Sequence, residues 1–435
     1  MSWVTARDAA RPEIVGRVRE AVGLSVEIEG LRCAIGDLVE LGPERLPAEV
    51  VATSGDILRC MPLAPATGIR TGLDARSAGG PLRVPVGPGL LGRVLDGLGR
   101  PIDGLGPLRG VRRVPVEMAA PHPLERARVA EPLHLGVRVL DTLTAVGRVQ
   151  RIGLFAGSGV GKSTLLSMVA RGTEAEVSVI ALVGERGREV REFLEDDLGP
   201  EGLARSVVVV ATSDQPALVR RRSAFVATRI AEDLREQGRH AVLMMDSLTR
   251  VAMAQREIGL SVGEPPATRG YPPSTFSVLA ELLERAGTGA SGSVTGIYTV
   301  LVDGDDHNEP IADAARSILD GHVVLDRSLA TAGHFPAVDA LGSISRVASR
   351  VTTPSQRDDA TELRRVMAAR RAVQDLIDVG AYVAGANPLV DAALAHADRI
   401  DGFLRQPVDA HASAGDSWQQ LAQLVDSLGT RRAAA

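Results

Sequence analysis

The sequence has few cysteines and no long apolar segment. Of its 435 residues only Cys33 and Cys60 are cysteine, and they form no closely spaced metal-binding motif. Isolated cysteines of this kind are typical of structural thiols in a reducing compartment. No apolar run reaches the ~18 residues that a membrane-spanning helix needs, and residues 1–10 lack the pattern of a signal peptide. We therefore expect a cytoplasmic protein.

Aromatic residues and positive charge are also scarce. The chain has six phenylalanines, three tyrosines and two tryptophans, and its formal net charge is -5. Proteins that bind single-stranded nucleic acid usually combine basic grooves with aromatic side chains on which the bases stack. We therefore expect no nucleic-acid partner.

Lysine is nearly absent. Lysine and arginine together number 49, and only Lys162 is a lysine. The compact ammonium of lysine and the planar guanidinium of arginine are not interchangeable in binding sites. A chain that uses arginine elsewhere and lysine once indicates a site at position 162 that requires an ammonium.

The pattern of apolar residues divides the chain into three parts. Leu24, Val26 and Ile28 alternate with polar residues within a Gly- and Pro-punctuated region, which predicts a small β-barrel or sandwich. From about Gly136, buried apolar runs alternate with helical segments, as in a largely parallel sheet covered on both faces. The candidate strands are residues 151–156, 177–183, 207–211, 241–245, 294–302 and 322–325.

The β pattern ends after about Arg350. Apolar residues then recur at helical spacing from Leu363 to Ile377, and Asn387 precedes Pro388 as a helix N-cap and first helical residue would. The predicted domains are a β-rich domain over 1–88, an α/β domain over 89–350 and a helical domain over 351–435. The Gly- and Pro-rich stretch from about residue 86 to 106 is predicted to be a connector of tight turns.

Residues 156–163 (AGSGVGKS) follow a predicted strand and precede a predicted helix. This context is typical of a phosphate-binding loop, in which glycines let main-chain N–H groups converge on phosphate oxygens. Lys162 would contact the β and γ phosphates and the Ser163 hydroxyl would coordinate Mg²⁺. The common pattern has glycine at the position of Ala156. The alternative is a Gly-rich turn that binds nothing.

Two acidic residues follow apolar strands. Asp246 ends the run 241–245, where a magnesium-binding aspartate would lie, although a helix cap has the same pattern. Glu185 follows the run 177–183 and could orient and deprotonate a water molecule, since ligands bind at the carboxyl ends of strands in open α/β sheets. A surface turn explains the spacing around Glu185 equally well.

Several short motifs together resemble the type III secretion ATPases, which are relatives of the catalytic subunit of rotary ATP synthases. The resemblance extends from Gly16 to about Leu404. The motifs are residues 155–164 (FAGSGVGKST), 183–189 (VGERGRE), 270–276 (GYPPSTF), 284–287 (ERAG), 303–306 (DGDD) and 343–347 (SISRV). The resemblance implies a RecA-like P-loop NTPase core between an N-terminal β-barrel and a C-terminal helical domain.

The resemblance also implies roles for particular residues. Glu185 matches the catalytic glutamate, Arg346 matches an arginine finger that enters the neighbouring subunit's site, and Phe335 matches an aromatic residue that stacks on adenine. ATP and Mg²⁺ are the implied ligands. The implied nucleotide-binding residues are Ala156, Gly157, Ser158, Gly159, Val160, Gly161, Lys162, Ser163, Thr164 and Phe335.

Residues 375–388 (DLIDVGAYVAGANP) resemble flagellar export ATPases more than those of virulence injectisomes. The implied partners are further copies of the chain in a hexamer, a stator-like regulator that docks on the N-terminal arm, a stalk protein, the membrane export gate, export substrates and their chaperones. The implied location is the cytoplasmic side of the membrane.

Four other interpretations remain. An injectisome ATPase would hydrolyse ATP in the same way and would have different export substrates. A rotary ATP synthase subunit would carry an acidic loop where this chain has residues 375–388. A hexameric RNA translocase would have a basic, aromatic-rich N-terminal barrel. A regulatory subunit that binds nucleotide without hydrolysis would not need both Glu185 and Arg346.

Overall fold

A computed structural model describes residues 13–302 and 309–430. Residues 1–12 of the N-terminal arm, the motif at 303–306 and the Ala-rich end at 431–435 lie outside the described residues. The first strands are β1 Val15–Val22, β2 Ser25–Glu29, β3 Asp37–Leu41, β4 Leu46–Ser54, β5 Ile57–Pro62, β6 Asp74–Pro81, β7 Arg83–Val86, β8 Val94–Asp96 and β9 Arg112–Pro115. The later strands are β10 Arg151–Ala156, β11 Val177–Glu185, β12 Ser206–Thr212, β13 His240–Asp246, β14 Gly287–Thr288, β15 Ser293–Leu301, β16 Gly321–Val324 and β17 Ile344–Ser345.

The α-helices lie mainly between and after the later strands. The first group is α1 Arg138–Leu143, α2 Lys162–Gly172, α3 Gly187–Glu192, α4 Gly199–Ala204, α5 Ala217–Glu236, α6 Leu248–Ser261, α7 Pro273–Glu284, α8 Pro310–Ile318 and α9 Arg327–Thr331. The second group is α10 Ala348–Val351, α11 Pro354–Ala372, α12 Gln374–Asp378, α13 Pro388–Ala395, α14 Ala397–Leu404 and α15 Ala414–Leu428. Short 3₁₀ helices span Pro88–Leu90, Pro123–Glu125 and Thr268–Gly270, and a π-helical turn spans Phe193–Leu198.

The N-terminal strands close into a barrel in the order β1-β2-β5-β4-β3-β6. On β2 the alternation predicted from the sequence buries Val26 and Ile28, while Leu24 lies in the preceding turn and is exposed. The inward side chains form a separate apolar cluster inside the barrel. Of the two folds that the sequence left open, the structure has the barrel, and its last strand ends at Pro81.

The Gly- and Pro-rich stretch after the barrel contains a strand that the sequence did not indicate. β8 pairs in parallel with β12 and so becomes an edge strand of the main sheet. Asp103 holds the turn beside β8, because its carboxylate accepts hydrogen bonds from the main-chain N–H of Val94 and from the Arg93 guanidinium. β7 and β9 form a separate antiparallel pair. The predicted set of turns is therefore interrupted by one short strand, β8, and lies between β7 and β9.

The main sheet has nine strands among the residues that the structure describes, with the order β17-β16-β10-β15-β13-β11-β12-β8 and β14 beside β15. The pairings from β16 to β8 are all parallel. On β13, Leu243 and Met245 face one apolar cluster while Val242 and Met244 face the other. Helices α5, α6, α7 and α8 cover the first face, and α1, α2 and the C-terminal helices cover the second. Burial on both faces explains the continuous apolar runs, and the six predicted strands are confirmed.

The C-terminal region after α10 is helical, and its first helix is shorter than the apolar spacing indicates. Leu363 and Val366 are fully buried on α11, but this helix ends at Ala372 and Val373 is its C-cap. Leu376, on the next short helix, is 49% exposed. The prediction of one continuous helical face to Ile377 is therefore wrong. The predicted cap is confirmed, since the Asn387 side chain accepts a hydrogen bond from the main-chain N–H of Leu389 and Pro388 begins α13.

None of the helices within residues 13–302 and 309–430 combines the length and apolar character needed to cross a lipid bilayer.

A buried ion pair joins the barrel to the main domain. Arg222 on α5 donates to both carboxylate oxygens of Glu49 on β4, with a Nε to Oε2 distance of 2.6 Å, and also to Glu117. Arg222 and Glu49 are 1% and 2% exposed. Burial lowers the pKa of Arg222, but the carboxylates outweigh burial and raise it overall. The guanidinium therefore stays charged inside the protein, and its partner on β4 is needed to balance it.

We expect Glu49→Leu to destabilise the protein by about 3–5 kcal/mol, because it leaves the Arg222 charge buried with only one acidic partner. The measurement is the midpoint of urea unfolding of the full chain. Glu27→Leu is the control, since it removes the partially exposed pair with Arg59 on the same barrel and should cost about 1 kcal/mol or less. Equal shifts for both variants would contradict this assignment.

Candidate functional site

The predicted phosphate loop connects β10 to α2. Gly159 and Gly161 have φ values of 77° and 89°, in the left-handed region that favours glycine. Val160 between them is buried in the apolar cluster and anchors the loop, whereas Ser158, Gly159 and Ser163 are exposed. The amino end of α2 thus faces solvent beside a loop of main-chain N–H groups. This geometry can bind a polyphosphate.

Three neighbouring elements bring charged side chains together at this edge of the sheet. Lys162 begins α2, Glu185 ends β11 and Asp246 ends β13, and Leu182 on β11 pairs with Asp246 in the parallel register. The Lys162 ammonium donates to Asp246 Oδ1 and lies 3.5 Å from Glu185 Oε1. The structure therefore groups three of the residues that the sequence singled out.

The pKa values in this cluster are shifted by burial and by neighbouring charges. Burial alone would lower the pKa of Lys162, but Asp246 and Glu185 outweigh burial and raise it. Burial raises the pKa of Glu185 to about 7; Lys162 opposes this shift, and Asp246 and Glu189 add to it. A carboxylate with a pKa near 7 is suited to accept a proton at neutral pH.

Two residues near this cluster were missed by sequence reasoning. Thr299 on β15 donates from Oγ1 to Asp246 Oδ1 at 2.8 Å and so orients that carboxylate. The indication of Thr299 in the sequence is a hydroxyl-bearing residue within an apolar run. Arg250 on α6 lies against Gly184, where a Cβ would be 3.0 Å from Arg250 Cβ, and its Nε is buried without a hydrogen-bond partner among the described residues. Its aliphatic atoms pack on the residue that precedes Glu185, and its spacing in the sequence gave no indication of this.

Phe335 lies at the phosphate loop. A Cβ on Gly161 would be 3.5 Å from Phe335 Cε1, so the ring packs on the glycine that precedes Lys162. The ring is 42% exposed, which is unusual for a large aromatic side chain held beside a loop. An exposed aromatic face in this position can stack on a flat ligand group.

Arg346 lies away from the other predicted site residues. Its main-chain N–H donates to Asp320 O, and the N–H of Asp320 donates to Arg151 O at the start of β10. Arg346 is therefore at the amino ends of the parallel strands, whereas the phosphate loop follows the carboxyl end of β10. The six residues of β10 separate the two by about 17 Å at 3.3 Å per residue. The exposed Arg346 side chain donates to Arg316 O at 3.2 Å.

The residues at the loop suit a magnesium ion. Among the described residues no cluster of three or more His, Cys, Asp or Glu could hold a metal. Mg²⁺ is usually bound by one or two protein oxygens together with substrate phosphates and water. The Ser163 hydroxyl and the Asp246 carboxylate supply oxygen ligands of the preferred type.

Comparison with known proteins assigns two segments of the chain to family models. Residues 136–345 match the ATP synthase alpha/beta family, nucleotide-binding domain. Residues 352–423 match the T3SS EscN ATPase C-terminal domain. The first segment contains the phosphate loop, Glu185, Asp246 and Phe335, and the second contains the C-terminal helices up to the middle of α15.

Curated relatives match over nearly the whole chain. A flagellum-specific ATP synthase from Bacillus subtilis is 50% identical, covering 94% of this chain and 95% of the relative. A type 3 secretion system ATPase from Xanthomonas euvesicatoria is 47% identical, covering 94% of each. The assembled ATPase EscN of the enteropathogenic E. coli type III secretion system superimposes with a TM-score of 0.89 at 42% identity, covering 94% of this chain and 100% of EscN. The chain therefore belongs to the flagellar and type III secretion ATPases, which are ATP-hydrolysing P-loop enzymes of the ATP synthase alpha/beta family.

Proposed function

We propose that the protein is the export ATPase of a flagellar type III secretion apparatus and that it hydrolyses MgATP to unload and unfold export substrates. The observation that carries the enzymatic part is the Lys162 ammonium, which is held between Asp246 and Glu185 at the start of α2. The flagellar assignment is supported by residues 375–388 and by the 50% identity to the Bacillus subtilis flagellar relative.

In the proposed reaction the terminal phosphates of ATP replace the carboxylates as partners of Lys162. The main-chain N–H groups of residues 157–161 and the amino end of α2 bind the phosphate oxygens. Ala156, Ser163 and Thr164 complete the loop at its two ends. Glu185 orients a water molecule and takes its proton as the water oxygen bonds to the γ phosphorus and the bond to ADP breaks. Phe335 stacks on the adenine.

Ser163 and Asp246 are the proposed protein ligands of Mg²⁺. Bound there, the ion would neutralise charge on the β and γ phosphate oxygens. Thr299 would keep the Asp246 carboxylate in place through its 2.8 Å hydrogen bond.

Arg346 is the proposed arginine finger for the site of an adjacent copy. Its position at the opposite edge of the parallel strands keeps it far from its own phosphate loop, and its exposed side chain is able to meet a neighbouring subunit. EscN, at 42% identity, has been described as an assembled ATPase and in complex with its central stalk EscO. We propose a homohexamer with a stalk protein in its centre.

The remaining parts of the proposal concern location and partners. The ring would lie on the cytoplasmic side of the membrane below the export gate, where a stator-like regulator, substrates and chaperones reach it. We propose a barrel domain over 1–88, an ATPase domain over 89–350 and a helical domain over 351–435. Coupling to the gate would pass through the helical domain.

An injectisome ATPase is the second candidate, favoured by the 47% identity to the Xanthomonas euvesicatoria relative. The test is deletion of the gene in the source bacterium. If the protein is a flagellar export ATPase, the deletion strain should lack external filaments and should not swim. Complementation with the Lys162→Ala variant should restore neither. A strain that keeps its filaments but no longer secretes injectisome substrates would show that the second candidate is right.

Glu185→Gln should reduce turnover by about 10²- to 10⁴-fold, because the amide cannot accept the proton of water. Nucleotide binding should be kept, since the substitution removes a negative charge near the phosphates. Turnover and binding of a fluorescent ATP analogue are the two measurements. Glu201→Gln, on the exposed side of α4, is the control and should leave both unchanged. If Glu185→Gln still hydrolyses ATP at the normal rate, another group orients and deprotonates the water molecule.

We expect kcat/KM for MgATP to fall about tenfold per pH unit below pH 7, because the pKa of Glu185 is raised to about 7 and the proton acceptor must be unprotonated. If the pKa of Glu185 were at its ordinary value of 4.5, kcat/KM would stay constant down to about pH 5. The pH dependence of ATP binding by Glu185→Gln reports titration of the nucleotide itself. A flat profile between pH 5.5 and 7 would contradict the assignment.

Arg346→Ala should lower turnover by about 10³- to 10⁵-fold. Mixing it with Lys162→Ala should restore activity, because about a quarter of the interfaces in mixed rings combine an intact loop with an intact finger. Specific activity of each variant and of the mixture is measured above the assembly concentration, and the wild type should lose specific activity on dilution. Arg350→Ala, an exposed neighbour on α10, is the control. Mixed rings that form without regaining activity would disprove action in the adjacent site.

A further inference from the structure

A short segment of the C-terminal region contacts both the loop that carries Phe335 and the carboxyl end of the phosphate-loop helix. The segment comprises residues 405–411 and follows α14. The main-chain N–H of Gln406 donates to Phe335 O at 3.0 Å. His411 Nε2 donates to Gly172 O at the end of α2 at 3.0 Å, and Arg171 Nη2 donates to Val408 O at 2.8 Å. One segment thus holds the loop that carries Phe335 and the far end of the phosphate-loop helix.

The Gln406 side chain fixes this segment in place. It is 3% exposed, and all its polar atoms have partners. Oε1 accepts from the main-chain N–H of Arg138 at 2.9 Å, while Nε2 donates to Gly136 O at 2.9 Å and to Ala410 O at 2.7 Å. Because glutamine offers an acceptor and two donors on one amide, few other side chains can satisfy these three buried groups together. The amide therefore locks residue 406 to the segment at 136–138.

The position of Phe335 depends on that lock. The Phe335 ring packs on Gly161, while its carbonyl oxygen is held by the N–H of Gln406. The ring and the carbonyl belong to the same residue, so a shift of residue 406 shifts the ring relative to the phosphate loop. The polar atoms of the Gln406 side chain bond to main-chain groups of Arg138, Gly136 and Ala410.

We propose that Gln406 is a positioning residue that sets the base-binding side of the ATP site through Phe335 and thereby links nucleotide binding to the C-terminal helices. This inference rests on the proposed stacking role of Phe335. Stacking on the base is made equally before and during hydrolysis, so loss of alignment should raise KM and leave kcat nearly unchanged.

The test uses Gln406→Met in the full-length protein, which keeps the size of the side chain and removes its hydrogen bonds. KM for MgATP should rise about tenfold, the size of effect expected for a lost stacking contact, with kcat within about twofold of the wild type. The inhibition constant of magnesium pyrophosphate, which has no base, should stay within about twofold. Gln406→Leu is made in parallel in case one variant folds poorly, and Gln419→Leu, an exposed glutamine on α15, is the control.

A double-mutant cycle with Phe335→Ala separates positioning from general damage. If Gln406 acts through Phe335, Gln406→Met should add less than about twofold to KM in the Phe335→Ala background. A full tenfold effect in that background, a fall in kcat at unchanged KM, or weaker pyrophosphate inhibition would overturn the inference while leaving the proposed function intact. If Phe335→Ala does not change KM, the stacking role itself is wrong and the inference fails with it.

Discussion

The charge of one ammonium organises the nucleotide site. Lys162 is buried deeply enough that its charge would be unfavourable alone, and two carboxylates from neighbouring strands balance it. Those carboxylates can only meet because β10, β15, β13 and β11 are adjacent and parallel, so that their carboxyl ends share one edge. Burial, with Asp246 nearby, raises the pKa of Glu185 to about 7. The charges of these three side chains and the topology of the sheet are therefore parts of one electrostatic arrangement.

Buried polar contacts attach the barrel and the C-terminal helices to the domain that contains the main sheet. The residues that make these contacts are far apart in sequence. Arg222 reaches Glu49 on the barrel, and Gln406 reaches Gly136 and Arg138 beside the phosphate-loop helix. Both contacts are almost fully buried, so a partner cannot be lost without leaving an unpaired polar group. Directional contacts of this kind fix the barrel and the C-terminal helices in defined positions on the ATPase core.

The sequence predicted the core better than its surroundings. The six main strands were predictable because both of their faces are buried, which makes their apolar runs continuous. The phosphate loop was predictable because glycine spacing and the one lysine coincide. The three-residue strand β8 was not, since its pairing with β12 is formed by tertiary contacts. The break after Ala372 was also missed, because the helical spacing of apolar residues continues through it.

The residues of the candidate site also differ in how well the sequence predicts them. Lys162 follows from local pattern, and Asp246 follows from its pattern taken together with the phosphate loop. Glu185 was equally consistent with a surface turn until the family resemblance singled it out, and it lies 3.5 Å from the Lys162 ammonium. Arg346 has no signal of its own among 48 arginines, and only the family resemblance singles it out. Three further residues contact parts of the site that are distant from them in sequence; they are Arg250, Thr299 and Gln406. No spacing rule along the chain can show such contacts.

The near absence of lysine also determines how the protein reacts with chemical reagents. Lys162 carries the only side-chain amine of the chain, and that amine lies in the cluster with Glu185 and Asp246. Amine-directed labels and cross-linkers therefore find no second side-chain amine in the chain. Labelling of a side-chain amine by such reagents therefore reports on the Lys162 cluster alone.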